Sequence, residues 1–208
     1  MNVKTLFLGL ASIAFILSAC AAETKVQQGR MALLYGDPNA AIASFQSAAE
    51  LDPNYFYFSV FPQGIWTYMG RAYYITGKYP EARQALERAV SLHQEDSMAK
   101  LYLGLSLARS GDRQRGLKEI EDGLRGLHEW LDYVNQYAAF SYGQYWDPTN
   151  EIRSEIKNSL TMISGKDIDW QKLIASGEWV GRKVEEEIDL AQQQESRDRS
   201  RGDDRGGD

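Results

Sequence analysis

The chain has 208 residues, with 23 Lys+Arg against 29 Asp+Glu, for a net charge of −6 and no basic stripe. That balance excludes nucleic acid as a main partner, because phosphate binding needs a basic surface. A hydrophobic fraction of 43% is enough for the core of one modest domain, and a single cysteine excludes an intrachain disulfide.

Residues 1–20 read MNVKTLFLGLASIAFILSAC. Lys4 and the free amine make a short positive start, and Leu6 to Leu17 is a mostly apolar run. That run is shorter than the roughly 20 residues a bilayer span needs, and it suits the apolar segment of an export signal. Leu17-Ser18-Ala19-Cys20 then resembles a bacterial lipobox: a branched apolar residue, two small ones, and a cysteine whose sulfur accepts a diacylglycerol. The resemblance implies that 1–19 is a leader and that Cys20 is a lipidation site. Acyl chains there hold a protein at a membrane through about 0.8 kcal/mol per buried methylene. Two other readings stay open. Ala19-Cys20-Ala21 also fits an ordinary small-x-small cleavage site, and the run could serve as an uncleaved anchor. Each places the rest of the chain outside the cytoplasm. Because Ala21 and not Asp follows the cysteine, the lipoprotein resemblance implies sorting to the outer membrane, facing the periplasm.

Beyond the leader the chain repeats. Gly70, Gly77 and Ala89 return as Gly104, Gly111 and Gly123, an offset of 34 residues. An earlier unit carries Gly29, Gly36, Ala41, Phe45, Ala48 and Pro53. The middle unit carries Trp66, Met69, Gly70, Tyr73, Gly77, Tyr79, Ala82, Leu86 and Ala89. The last keeps Leu103, Gly104, Leu107, Gly111, Gly116 and Ile120, with Lys100 and Arg113 at the two aromatic positions. These spacings resemble the tetratricopeptide repeat (TPR), with units at about 22–55, 63–96 and 97–130 in a region spanning 20–130. The resemblance implies an all-α fold, a short right-handed α-solenoid of about three helical hairpins followed by C-terminal helices. One such hairpin cannot bury its own apolar stripe, whereas stacked hairpins can. Gly36, Gly77 and Gly111 suit helix ends that need positive φ. Gly70 and Gly104 sit mid-helix, at a cost of about 1 kcal/mol each against alanine, and close approach of a partner helix offsets that cost.

The first and second units are 41 residues apart, seven more than the period, and the surplus is an aromatic insert at 54–62. It holds Tyr55, Phe56, Tyr57, Phe58 and Phe61. It reads either as a segment folded back to cap a gap between repeats or as a lip that docks a partner, since exposed aromatics want cover.

In the resembled family, the first helix of each hairpin lines a groove that binds protein or peptide. The groove-facing candidates here are Val26, Arg30, Leu33, Thr67, Arg71, Tyr74, Ile75, Leu101, Leu105 and Arg109. Arg30, Arg71 and Arg109 could read acidic or terminal carboxylates through forked hydrogen bonds, or could pair with neighbouring acids on a solvated face. The carboxylate-clamping set of that family includes an Asn, which these positions lack.

Residues 131–195 read as a C-terminal helical region. Trp130, Leu131, Val134, Tyr137, Ala138 and Tyr142 have helical spacing and suit a helix that covers the solenoid's end. Asp147-Pro148-Thr149-Asn150 is a stop and restart, after which Ile152, Ile156, Leu160 and Ile163 form a stripe ending near Gly165. A helix over 167–176, a break at Ser176-Gly177 and a last helix over 178–195 follow, with Trp170 and Trp179 flanking the break as packing anchors or ligand contacts. The tail 196–208 has no apolar residue and is expected to be disordered. Its Arg201-Gly202-Asp203 adhesion tripeptide is read as chance.

No catalytic constellation stands out. His93 and His128 fall in different repeats, and the lone cysteine is taken by the lipobox, so cysteine–histidine catalysis and a zinc cluster lack residues. Gly70 to Gly77-Lys78 spans six residues where a phosphate loop needs four, with Tyr79 where Ser or Thr belongs. Glu185 to Glu187 and Asp167/Asp169 read most simply as solvated faces. The expectation is a non-enzymatic adaptor with no cofactor and no metal, held to the membrane by its lipid alone. It would bind another cell-envelope protein in a pilus, secretion, polysaccharide-export or outer-membrane assembly machine. The alternative is a self-associating structural lipoprotein of the envelope.

Overall fold

The computed structural model describes residues 20–57, 61–137 and 145–203. The expected leader 1–19, Phe58, the segment 138–144 with Ala138 and Tyr142, and residues 204–208 lie outside them. In chain order the elements are α1 (20–34), α2 (Pro38–Leu51), β1 (Phe56–Tyr57), β2 (Gln63–Gly64), α3 (Ile65–Ile75), α4 (Tyr79–Leu92), α5 (Ser97–Arg109), α6 (Arg113–Tyr137), α7 (Glu151–Ile163) and α8 (Trp170–Asp203). The fold is all-α, apart from the two-residue antiparallel pair that registers Phe56 with Gly64 and Tyr57 with Gln63.

Local chemistry sets the hairpin turns. Gly36, Gly77 and Gly111 stand at φ of +81°, +75° and +96°, where a β-carbon costs roughly 1–2 kcal/mol. Pro38 and Pro80 open the next helices in their first turns, where a missing N–H is no loss. Asp37 and Asp96 cap α2 and α5, accepting from the Ala40 and Ala99 amides at 3.0 and 2.8 Å.

Packing inside each hairpin repeats as well. A β-carbon at Gly29 would run into the Phe45 ring, one at Gly70 into Leu86, and one at Gly104 into the Ile120 amide nitrogen at 2.5 Å. Phe45, Leu86 and Ile120 hold one repeat position, so each mid-helix glycine receives the same residue of its own second helix. The third hairpin is the tightest. Gly116 and Gly123 replace the alanines of the other two, and backbone meets backbone: a β-carbon at Gly116 would stand 2.8 Å from the Gly104 carbonyl oxygen.

The chain divides into two compact units. The first, Met1–Phe58 with Pro62–His93, holds α1 to α4 and the strand pair. Its core is Val26, Phe45, Ile65, Tyr68 and Met69 with the small residues Ala41, Ala48 and Ala72. Phe45 and Tyr68 stack with ring centres 5.5 Å apart.

The second unit, Ser59–Phe61 with Gln94–Asp208, holds α5 to α8. Three expectations change there. First, α6 is one helix of 25 residues, so the boundary expected at 130/131 falls inside it. Second, no break occurs at Ser176-Gly177: α8 is a single helix of 34 residues. Glycine is used there for contact, since a β-carbon at Gly177 would stand 3.0 Å from Leu105 Cδ2 and 3.3 Å from Leu101 Cδ1. Third, the tail expected to be disordered from Ser196 is helical through Asp203. Leu173, Val180, Val184, Ile188 and Ala191 form the buried stripe of α8. The restart before α7 is as expected: Asp147, buried and at φ +44°, accepts from the amides of Ile152 and Arg153 at 2.9 and 3.0 Å.

Candidate functional site

The groove positions do not form the open arginine face expected. In the first unit Arg30 is 1% exposed and Arg71 3%. Arg30 donates from Nη1 to Gln27 Oε1 at 3.0 Å, and Arg71 donates from Nη1 to Gln63 Oε1 at 3.1 Å. Tyr74 is also buried and tilts against Tyr79, with ring centres 5.5 Å apart. Val26 and Thr67 are buried, and Leu33 is partly so. Ile75 alone among the candidates in this unit is open, at 52% exposure.

In the second unit Leu101 and Leu105 are buried, because α8 crosses them at Gly177. Arg109 remains half exposed but is bound: its Nη2 meets Glu178 Oε1 of α8 at 2.9 Å. That pair is the solvated-face reading of Arg109. Sequence spacing placed these residues on the inner face of α5 without showing that a helix far down the chain would cover it.

Three aromatics of the insert make contacts inside their own units. Tyr55 packs against the first unit's core, and its carbonyl accepts the Ile65 amide at 3.0 Å. Phe56 lies 4.4 Å from the His93 ring. Tyr57 contributes a strand residue facing Gln63. Phe61, which belongs to the second unit, is buried edge-on against Trp130 at 4.7 Å, and Trp130 in turn meets Trp146 at 4.5 Å. These contacts favour the capping role over a docking lip for Tyr55, Phe56 and Phe61.

Open apolar side chains sit elsewhere. In the first unit Tyr35 is 82% exposed and Met31 39%, at the end of α1, matching Ile75 at the end of α3. Cys20 is exposed on the first turn of α1, on a face shared with Thr24, Gln27 and Met31. In the second unit Tyr133 and Tyr137 tilt against each other, with ring centres 5.3 Å apart, and are both exposed. A residue number alone could not have separated Ile75 from Tyr74. Only the rotation of α3 against its neighbours does that.

A polar junction joins α6, the 145–150 turn, α7 and α8. Arg153 Nε donates to Asp147 Oδ2 at 3.0 Å, its Nη1 stands 3.7 Å from Asp132 Oδ1, and His128 Nδ1 lies 3.1 Å from Asp132 Oδ2. Glu185 is buried at 2% exposure and Glu187 is half-buried, which corrects the reading of this run as a solvated face. Burial pushes the Glu187 carboxyl above its ordinary range, while the Asp147 amide it accepts from pulls the other way. These groups tie four elements together and present no nucleophile–base pair. Among the described residues no cluster of three or more His, Cys, Asp or Glu could hold a metal ion, and no helix is long and apolar enough to cross a membrane.

Residues 32–105 match a family model described as Tetratricopeptide repeat, a span running from the end of α1 through most of α5. No curated protein matches the chain. The match covers the whole α3–α4 hairpin together with α2 and most of α5, and repeats of this kind commonly bind protein partners.

Proposed function

We propose that this protein is a non-catalytic adaptor, lipid-anchored through Cys20, which binds another cell-envelope protein through its tetratricopeptide-like hairpins. The observation that carries the reading is the hairpin register itself, matched by the family model over 32–105. The partner surface we infer is the open end of the first unit's inner helices, at Met31, Tyr35 and Ile75. These side chains are apolar and exposed, whereas the arginines beside them are already buried. The lipobox-like Leu17-Ser18-Ala19-Cys20 supports the anchor, and Ala21 supports an outer-membrane address facing the periplasm. The exposure of Cys20 on α1 is compatible with acylation.

Two measurements test this. Metabolic palmitate labelling should mark the chain, and Cys20→Ser should abolish the label and release the chain from the membrane fraction; an unlabelled parent chain defeats the anchor. A Tyr35→Asp/Ile75→Asp double variant should remain folded yet lose a partner that co-purifies with the parent chain. Retention of that partner by the variant defeats the assigned surface.

A further inference from the structure

The second unit carries a groove that the hairpin reading leaves unused. It lies between the N-terminal half of α7 and α8 and has a volume of about 570 Å³, within the range of small-molecule sites. Its walls are two helical stripes with the same i, i+3, i+4, i+7 spacing. Glu151, Ser154, Glu155 and Asn158 line it from α7, and Lys172, Ala175, Ser176 and Trp179 line it from α8. The α7 wall is polar, and the α8 wall sets Ala175 and Trp179 among Lys172 and Ser176; low in the seam the Ser159 and Ser176 hydroxyls meet at 2.6 Å.

The groups on the walls select a ligand class. An anion is disfavoured, because Asp147 already takes the Ile152 and Arg153 amides of α7's first turn and Asn150's carbonyl takes that of Ser154. Glu151 and Glu155 add two carboxylates against the one ammonium of Lys172. That ammonium offsets one of the two, so a cation meets one net carboxylate charge at an exposed site, where such pairing is worth about 0–1 kcal/mol. A wholly apolar ligand would strand the carboxylates and the amide of the α7 wall. What remains is a neutral molecule with many hydroxyls and one flat apolar face. Carboxylate and amide side chains each present two adjacent polar atoms suited to vicinal hydroxyl pairs. The negative face of the Trp179 indole attracts the polarised C–H groups of a ring lying on it. Among the described residues Glu151, Glu155 and Asn158 bond no other side chain, so all three have their hydrogen-bonding capacity available.

From this convergence we propose that the α7–α8 groove binds a neutral oligosaccharide, with one sugar ring stacked on Trp179 and its hydroxyls held by Glu151, Glu155 and Asn158. The site is independent of the hairpin partner surface.

The test titrates the full chain in detergent with three tetrasaccharides (chito-, cello- and maltotetraose) and with tetralysine, by calorimetry and saturation-transfer NMR. At least one sugar should bind saturably, with Kd on the order of 0.1–1 mM. Asn158→Ala and Glu155→Gln, which break no hydrogen bond or ion pair among the described residues, should each weaken binding about tenfold while leaving Tm unchanged, and Trp179→Ala should remove it. Failure of all three sugars to bind overturns the proposal. So does sugar binding that survives Asn158→Ala and Glu155→Gln, or tetralysine binding in place of the sugars.

Discussion

At the residue scale, glycine does two different jobs in this chain. At the turns it supplies positive φ. At Gly104 it allows backbones to touch, because Gly116 lies opposite and the Ile120 amide nitrogen occupies the space a β-carbon would need. Alanine is the better helix former by about 1 kcal/mol, so propensity alone favours Gly104→Ala. Contact predicts the reverse, since overpacking against rigid backbone costs about 1–3 kcal/mol. Denaturant unfolding should show Gly104→Ala to be destabilised, and a stabilised variant would refute the close approach. The second residue-scale prediction concerns Glu187, whose carboxyl burial holds above the ordinary value of 4.5. A carboxyl with a raised folded-state pKa favours the fold in its protonated form. Its contribution is full below the unfolded value and is lost as pH rises through the folded one. Glu187→Gln, which keeps an acceptor for the Asp147 amide, should therefore raise Tm at pH 7, and that gain should shrink as pH falls toward 4.5. A pH-independent difference would show that Glu187 does not titrate with folding.

At the element scale, α8 is the part that sequence reading served least well. The hairpins were legible because every signal in them is local: a glycine at the turn, a glycine in the helix, and a bulky residue a fixed step later. The restart at Asp147 was legible for the same reason, since a carboxylate ahead of a helix is a cap whatever surrounds it. Gly177 looked like a helix break because a glycine beside a serine usually is one. Its true reason is Leu101 and Leu105, which are remote in sequence and carry no period that points to α8. The same remoteness hid the cover over the expected groove. These contacts make α8 structural. Ending the chain after Gln194 removes a segment with no apolar residue and should leave Tm unchanged. Ending it before Trp170 uncovers Leu101 and Leu105 and deletes Leu173, Val180, Val184 and Ile188. At about 1.5–3 kcal/mol per large buried side chain, that loss rivals the 5–15 kcal/mol stability of a typical domain. Circular dichroism should show loss of the second unit's cooperative transition. Its survival would mean that α8 is dispensable.

At the scale of the whole molecule, tetratricopeptide-like hairpins are followed by a C-terminal helical region with a groove of its own, and the proposed lipid anchor is at Cys20. The site was only half legible. The sequence pointed to the inner helices and named Ile75, which the fold exposes, together with Arg30, Arg71 and Tyr74, which it buries, and it missed Tyr35. Helical spacing gives the side a residue faces; it does not give the depth at which a neighbour stops. The adaptor reading rests on that exposed surface, and photo-crosslinking in living cells tests it most directly. Benzoylphenylalanine at Tyr35 and at Ile75, in separate chains, should capture one and the same foreign envelope protein. A probe at Leu92, also exposed but on the second helix of its hairpin, should not. Capture of only this same chain at both positions, or of the same products at Leu92, would contradict the adaptor reading.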